Sequence, residues 1–238
     1  MAKKSARQAA DLGAEGAEFF FDVLVAAIDV VETAARGLAS GAEAGSKDKG
    51  LINFLMRDRH GSPFEHNSMT FYVQAPIFVF REFMRHRIAS YNEESGRYRE
   101  LKPVFYIPSV ERKLIQVGKT GSYTFVDGTK EQFDVTVSAM KDAYVVAYGS
   151  YQKMLEAGVA REVARAVLPV ATYSSMYVSM NARALMNFLS LRTAREGSHF
   201  PSYPQREIEM VAEKMEAEFA QLMPITYGAF EKSGRIAP

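Results

Sequence analysis

Arginine and short hydroxyl side chains are concentrated in one stretch, residues 85–99, which reads RHRIASYNEESGRYR. A solvated charged surface would be rich in Lys, Glu and Gln, whereas this stretch favours Arg, whose planar guanidinium binds phosphate through two parallel hydrogen bonds. Gly96, between Ser95 and Arg97, allows a ligand to approach the backbone closely. The stretch predicts a site for a phosphate or a planar ligand, and a surface salt-bridge network with the neighbouring glutamates fits its composition equally well.

A second group of reactive side chains occurs in HGSPFEH, residues 60–66. Two histidines and one glutamate surround a Ser-Pro turn, and both residue types serve as general acids and bases. A turn of this kind more often caps a neighbouring helix and strand with its polar groups, so the structural interpretation is favoured over the catalytic one.

Asparagine and arginine recur on the apolar stretch NARALMNFLSLR, residues 181–192. Helical spacing places Asn181 and Arg192 close to one face, and Arg183 and Asn187 on the adjacent face. An Asn amide can pair with the edge of a heterocycle, and an Arg can neutralise a phosphate or a pyrimidine oxygen. A half-buried binding site and a core helix whose arginine stems extend into solvent are equally compatible with this pattern.

Composition limits the chemistry open to these groups. The 238 residues include no cysteine, which excludes disulfides, thiolate metal sites and a cysteine nucleophile. The four histidines lack the spacing of a zinc site, and neither a GxGxxG fingerprint nor a P-loop is present. A net charge of +1 argues against nucleic acid held by a basic field. Asp22 and Asp29 interrupt the apolar run FFFDVLVAAIDVV, so we expect neither a signal peptide nor a membrane span, and a cytoplasmic protein.

Periodicity and turn residues predict alternating strands and helices around the candidate groups. Strands are predicted at 66–76, 104–108 and 172–180, and helices at 51–60, 76–87, 131–157, 160–168, 181–194 and 205–223. Pro76 should begin the second helix, on which Arg81 and Arg85 would share a face. Asp48 should cap the first helix after a loop at 37–50. No repeat or linker divides the chain, so we predict a single α+β domain over residues 17–238, after a flexible stretch at 1–16.

The pair of Asp127 and Gly128, between runs of Thr, Tyr and Phe, predicts the turn of a β-hairpin.

Taken together, the quoted segments resemble those of the flavin-dependent thymidylate synthases. Arg85, His86 and Arg87, followed after seven residues by Ser95, match the signature of that family. HGSPFEH before a strand, then GVAREVARAVLP and NARALMNFLSLR, occur in the family's order and with similar spacing, so the resemblance extends over residues 50–210. It implies the thymidylate synthase-complementing fold, in which an α+β subunit with a central, mostly antiparallel sheet flanked by helices forms a homotetramer with active sites at subunit interfaces.

The resemblance also implies the reaction, which is the reductive methylation of dUMP to dTMP. Methylenetetrahydrofolate would supply the carbon, and FAD reduced by NADPH would supply the hydride. The other class of thymidylate synthase attacks the pyrimidine with a cysteine thiolate, so the absence of cysteine agrees with this assignment. The implied partners are therefore dUMP, folate and further copies of the chain, without nucleic acid, metal or membrane.

Carried over by motif, the resemblance implies two sets of ligand contacts. The residues assigned to FAD are Ser62, Glu65, Arg85, His86, Arg87, Asn92, Glu93, Asn181, Arg183, Asn187 and His199. Those assigned to dUMP are Glu82, Glu93, Ser95, Gly96, Arg97, Arg165 and Arg192. Among these, Arg192 would stabilise negative charge that develops on the uracil, and Ser95 would bind and orient the substrate rather than attack it.

The chain departs from the family pattern in three places. Glu82 stands where the family commonly has Gln, and the segment after Arg192 is longer than usual, which affects the assignment of His199. No clear first strand precedes residues 34–36. His60 is expected to line the folate or nicotinamide side.

Two other classes of function fit the same residues. A nucleic-acid-binding module using the Arg and Tyr side chains of residues 85–99 would bind oligonucleotides with a steep salt dependence, which the near-neutral net charge disfavours. A non-catalytic helical oligomer would use Arg97 and Arg192 only to bridge subunits.

Overall fold

The computed structural model describes residues 21–22 and 46–238, so the expectations for residues 1–16 and for the stretch around 34–36 lie outside the described residues. The strands are β1 (Phe21–Asp22), β2 (Met69–Pro76), β3 (Ser90–Glu93), β4 (Ile115–Lys119), β5 (Ser122–Val126) and β6 (Tyr173–Met180). The helices are α1 (Ser46–Arg57), α2 (Ile77–Phe83), α3 (Lys130–Glu156), α4 (Arg161–Ala164), α5 (Ala182–Arg192), α6 (Arg206–Leu222) and α7 (Pro224–Lys232). Short 3-10 turns occur at Ser62–Glu65 and Arg165–Val167. The α+β class is confirmed.

Two small sheets carry the strands. β1, β2, β6 and β3 form one sheet in that order, and β4 and β5 form a separate antiparallel hairpin. The hydroxyls of Thr70 and Ser179 lie 2.7 Å apart, and Ile77 donates its N–H to the Thr172 carbonyl at 3.0 Å. The beginning of β2 therefore lies beside the end of β6, and the end of β2 lies beside the beginning of β6. The two strands are antiparallel, as predicted for the sheet.

Capping residues determine where the long helix α3 begins. The Thr129 hydroxyl accepts a hydrogen bond from the Gln132 N–H at 3.2 Å, and the Gln132 side chain accepts one from the Thr129 N–H at 2.8 Å. This reciprocal capping box satisfies two N–H groups that have no partner inside the helix. After α3, Gly158 adopts a φ of +81°, so the chain turns there, and the predicted helix over 131–157 is confirmed.

The helix that carries the arginines of the signature is shorter than predicted. α2 ends at Phe83, and the His86 N–H then donates to the Phe83 carbonyl at 2.8 Å in a turn. Arg85 lies in this turn, so the prediction that Arg81 and Arg85 share a helical face is wrong. Pro76 is the last residue of β2 rather than the first of the helix.

The predicted positions of the hairpin turn, of the α1 cap and of one strand are also wrong. The hairpin turns between β4 and β5 at Gly121, whose φ is +79°, whereas Asp127 and Gly128 follow β5 and precede the cap of α3. Helix α1 begins at Ser46, so Asp48 lies in its first turn, where a carboxylate favours the helix dipole, and residues 46–50 of the predicted loop are helical. The segment 104–108 forms only an isolated bridge, between Phe105 and Thr172, rather than a strand.

Contacts divide the described residues into two compact units. The first contains residues 74–81 and 93–175, and the second contains residues 21–22, 46–73, 82–92 and 176–238. In the first unit the Tyr151 hydroxyl accepts the Leu101 N–H at 3.3 Å, which ties the segment after residues 95–97 to α3. The second unit has a phenylalanine-rich core, in which Phe64, Phe71, Phe83, Phe188, Phe219 and Phe230 are fully buried.

Among the described helices, none has the length and apolar character that crossing a membrane requires.

Candidate functional site

Arg192 is the centre of a polar group within the second unit. It is the last residue of α5, and its side chain is only 11% exposed. Nη1 donates to the Glu82 carboxylate, Nη2 donates to the Glu82 carbonyl at 3.2 Å, and Nε donates to His86 Nε2 at 3.0 Å. The fold thus brings Arg192 to two other predicted site residues, Glu82 and His86, which lie 110 and 106 positions earlier in the sequence.

His86 is held as a neutral imidazole in this group. Burial, and then the positive charge of Arg192, lower the pKa of His86 to about 4. Because Nε2 accepts the hydrogen bond from Arg192, the neutral ring carries its proton on Nδ1. The ring edge packs against Phe188 with centroids 4.9 Å apart, and Phe188 stacks on Phe83 at 4.9 Å. An apolar wall therefore supports the imidazole.

Tyr91 fixes the turn that carries His86. Its hydroxyl lies 2.7 Å from both the Phe83 and the His86 carbonyl oxygens. Burial raises the pKa of Tyr91 to about 12, so the phenol stays protonated and donates at neutral pH. Sequence reasoning did not select Tyr91, because its role depends on a turn that was predicted to be helix.

Arg183, near the start of α5, connects that helix to the turn at residues 60–66. Its Nη1 donates to the Glu65 carboxylate, and its Nε donates to the Pro238 carbonyl at 2.5 Å. A Cβ atom on Gly61 would lie 2.6 Å from the guanidinium carbon, so any side chain at this position would displace Arg183 from its present contacts. Asn67 adds a capping contact, because its Oδ1 accepts the Ala182 N–H at 2.7 Å. The turn therefore holds Arg183 through Glu65, and the capping contact to α5 comes from the adjacent Asn67 rather than from residues 60–66.

The remaining residues assigned to FAD, apart from Glu93, lie in the second unit. Asn181 caps α5, since its Oδ1 accepts the Ala184 N–H at 2.9 Å, and Asn187 donates to the Arg183 carbonyl at 3.1 Å from an exposed position. The N–H of His199 donates to the Gly234 carbonyl at 2.9 Å. Exposed positions are occupied by Ser62, Arg85, Arg87 and Asn92.

The first unit holds a second cluster around Gly96. A Cβ atom there would lie 3.0 Å from Leu101 Cδ1 and 3.3 Å from Arg165 Cδ, so the glycine lets both side chains pack closely against this backbone. The Ser95 hydroxyl accepts the Arg97 N–H at 3.3 Å. Four residues predicted to contact dUMP, namely Ser95, Gly96, Arg97 and Arg165, are thus close together.

Glu93 lies in the same unit and is half-buried. Burial raises the pKa of its carboxyl, whereas Ser174, Arg165 and Arg81 act in the opposite direction. Glu93 is therefore a carboxyl group whose proton affinity depends on two neighbouring guanidinium groups.

A surface salt-bridge network accounts for only part of the arginine-rich stretch. Arg99 pairs with Glu94 at 3.4 Å, and Arg97 pairs with Glu162 at 2.7 Å. Arg85, Arg87 and Arg165 form no salt bridge with any residue that the structure describes. These three guanidinium groups therefore keep donors that an anion could use, although the Glu93 carboxyl lies near enough to Arg165 for the guanidinium to lower its pKa.

Comparison with known proteins gives consistent matches. The model of the family Thy1, "Thymidylate synthase complementing protein", matches residues 21–225. A flavin-dependent thymidylate synthase of Streptomyces coelicolor is 69% identical over 193 residues, covering 81% of this chain and 78% of the relative. One of Tropheryma whipplei is 61% identical, covering 81% and 80%. The crystal structure of the UMP/dUMP methylase PolB from Streptomyces cacaoi, bound with 5-Br UMP, superposes with a TM-score of 0.85 at 50% identity, covering 93% of this chain and 97% of that one.

Proposed function

The chain belongs to the flavin-dependent thymidylate synthases, and from that premise we propose that its residues bind FAD and dUMP and promote the reductive methylation of dUMP to dTMP. The observation that carries the proposal is the family match, because residues 21–225 contain every position assigned to either ligand. When bound, FAD reduced by NADPH supplies the hydride, and methylenetetrahydrofolate supplies the carbon.

The donors in the chain fit two phosphate-bearing ligands. Arg85 and Arg87 are exposed and have no carboxylate partner among the described residues, which suits the phosphates of FAD. Arg165 likewise forms no salt bridge with a described residue, and Gly96 lets its stem pack closely against the backbone, which suits a guanidinium that would bind the dUMP phosphate. The FAD contacts would be completed by Ser62, Glu65, His86, Asn92, Glu93, Asn181, Arg183, Asn187 and His199, and the dUMP contacts by Glu82, Glu93, Ser95, Arg97 and Arg192.

Arg192 would hold the uracil ring and stabilise charge on it. A guanidinium has five N–H donors, and three of those of Arg192 already bind Glu82 and His86. The remaining two can donate to a uracil oxygen, while the three fixed bonds prevent the side chain from turning away. A preoriented charged donor of this kind stabilises an oxyanion because little reorganisation accompanies the reaction.

Ser95 would orient the nucleotide without attacking it. Its oxygen accepts the Arg97 N–H at 3.3 Å, and no hydrogen bond links it to a histidine or carboxylate in the described part of the chain. A serine nucleophile needs such a base within hydrogen-bond reach. The arrangement therefore favours a binding role.

We also propose that the chain acts as one catalytic domain over residues 17–238 and assembles as a homotetramer. The boundaries of the two units fall inside β2, β3 and β6 rather than in linkers. Helix α3 has 27 residues, of which only Tyr144 and Tyr151 are buried, and its Val135 and Val146 are 64% and 70% exposed. A second copy of the chain is the occupant that the family's assembly suggests for this apolar face.

The function can be tested with the purified protein reconstituted with FAD. We expect a yellow protein that oxidises NADPH faster when dUMP is added, and that forms dTMP when methylenetetrahydrofolate is present. UMP tested in parallel decides which nucleotide the site prefers. A protein that stays colourless after reconstitution, or NADPH oxidation that ignores both nucleotides, would overturn the proposal.

A further inference from the structure

Residues 234–238, which we call the strap, follow helix α7 and contact three positions near the proposed site. The Gly234 carbonyl accepts the His199 N–H at 2.9 Å. The Arg235 guanidinium donates from Nη2 to the Thr193 hydroxyl at 2.8 Å. The Pro238 carbonyl accepts the Arg183 Nε–H at 2.5 Å. The strap therefore contacts residues at both ends of α5, and the strap itself lies beyond the part of the chain that the family model matches.

Arg235 anchors the strap through a buried charge network. Its side chain is almost fully buried and pairs with Glu216 at 2.5 Å and with Glu231, and its guanidinium lies over the Phe230 ring at 4.9 Å. Arg195 binds the second oxygen of Glu216 at 2.7 Å. Moving a buried guanidinium away from its carboxylates is costly, so the network fixes the position of the strap.

The backbone at Arg235 also indicates a specific requirement for this side chain. Its φ is +59°, in the left-handed region that residues other than glycine seldom adopt. The preceding Gly234, with a φ of +66°, packs so closely on His199 that a Cβ atom would lie 3.1 Å from that side chain. Two consecutive left-handed residues direct the guanidinium inward.

Thr193 transmits the position of the strap to α5. Its hydroxyl donates to the Leu189 carbonyl at 2.7 Å while it accepts from Arg235, and its carbonyl accepts from Ser202 at 2.6 Å. These contacts fix the residue that ends the helix. Since Arg192 is the preceding residue, they also fix the point from which its side chain extends toward Glu82 and His86.

We propose that the strap is a positioning element of the catalytic site, in which Arg235 orients Arg192 through Thr193, and the Pro238 carbonyl orients Arg183. This inference rests on the proposed function for the role of Arg192. Arg235 touches neither nucleotide nor flavin in this account, and it acts through α5.

The sharpest variant is Thr193→Val, which removes the hydroxyl that Arg235 binds and leaves the buried ion pairs intact. Calorimetric titration with dUMP should show a dissociation constant raised roughly tenfold, the factor that corresponds to the loss of one misaligned Arg192–uracil hydrogen bond of about 1.4 kcal/mol. The KM for methylenetetrahydrofolate should stay unchanged. Arg235→Met should raise the dUMP constant at least as much, and Arg235→Lys should recover part of the loss. Arg206→Met, which removes an exposed arginine that pairs with Glu209 and Glu213, is the matched control and should leave dUMP binding unchanged.

A double-mutant cycle separates positioning from general destabilisation. Thr193→Val added to Arg192→Ala should cause no further loss of dUMP affinity, because the strap acts through the side chain already removed. Equal losses in the two backgrounds, or wild-type affinity in Thr193→Val, would overturn the strap proposal. A wild-type protein that binds neither FAD nor dUMP would instead overturn the proposed function.

The strap proposal can also be tested without any ligand, by measuring the titration of His86. The positive charge of Arg192 contributes to the low pKa of His86, so displacement of the guanidinium should raise that pKa. NMR titration of the four histidines, with His86 assigned by His86→Gln, should show this upward shift in Thr193→Val and in Arg235→Met but not in Arg206→Met. An unchanged His86 titration in both strap variants would show that the strap does not position Arg192.

Discussion

Replacing Arg192 by Ala should abolish most of the catalytic activity, and the structure separates this effect from loss of folding. In the wild type the guanidinium is fixed by the Glu82 carboxylate, the Glu82 carbonyl and His86 Nε2. Its two remaining donors are those that we assign to the uracil. A single preoriented donor to a developing oxyanion contributes about 2.7–4 kcal/mol, so kcat/KM for dUMP should fall by roughly 10²–10³.

The effect of Arg192→Ala on the free energy of unfolding should be smaller than its effect on catalysis. The substitution removes the partner of Glu82, but that carboxylate is 35% exposed, so water can solvate it. A lost charged hydrogen bond with solvent access to the acceptor lowers the free energy of unfolding by about 1–3 kcal/mol. Urea denaturation measures this change, and chromatographic dTMP formation at saturating FAD, NADPH and methylenetetrahydrofolate measures the change in rate.

Two further variants make the result interpretable. Arg192→Lys keeps the charge but not the planar fork, so its activity should lie between those of the wild type and Arg192→Ala. Arg206→Ala removes an arginine that is 44% exposed and should leave both stability and rate nearly unchanged. If Arg192→Ala remains folded and its kcat/KM stays within about fivefold of the wild type, well short of the expected loss, the assignment of Arg192 to the uracil is wrong.

Three other predictions follow from the two clusters. Ser95→Ala should retain part of the dTMP-forming activity, because the serine orients the nucleotide, and complete loss in a folded variant would indicate a nucleophile instead. Arg165→Ala should raise the dissociation constant of dUMP about tenfold or more for the loss of one charged phosphate contact, whereas Arg161→Ala, four residues earlier, should leave it unchanged; titration calorimetry compares the two. The free energy of unfolding should decrease as the pH falls from 6.5 to about 4, because the unfolded chain takes up the His86 proton first. Partial exposure limits this term to about 1–2 kcal/mol, and His86→Gln should show a shallower decrease in urea titrations over that range; equal slopes would contradict the burial argument.

The sequence was sufficient for the class of fold and for the longer elements. Apolar periodicity and turn residues predicted α3, α5 and β6, because such signals are local. The sequence did not predict the turn at residues 84–87, where a helix was expected. The Tyr91 hydroxyl lies 2.7 Å from two carbonyl oxygens of that turn and stabilises it. The hairpin was predicted from the more typical turn pair, Asp127 and Gly128, and it formed at Gly121 instead. Both errors arise where a tertiary contact or a competing turn overrides a local preference.

For the candidate site, too, the sequence indicated the residues but not the contacts between them. The residue types and the order of the motifs selected the arginines as candidates, but no spacing indicates that Glu82 and Arg192, 110 positions apart, form one pair. Arg235 was not selected at all, since an isolated arginine near the end of a sequence carries no pattern.

The pairing of Glu82 with Arg192 gives physical meaning to a departure that looked incidental in sequence. A glutamine at this position would offer the guanidinium the same carbonyl-type acceptor but no negative charge. With a carboxylate at Glu82 and a neutral imidazole at His86, the charge of Arg192 is balanced where its side chain is 11% exposed. This charge balance lowers the free-energy cost of burying the guanidinium. It also weakens the attraction that Arg192 exerts on distant anions. The attraction that remains acts through the two free N–H donors at short range, so under the proposed assignment the site would recognise a uracil oxygen by direction. Under the same assignment, phosphate attraction would be left to Arg85, Arg87 and Arg165, which form no salt bridge with any described residue.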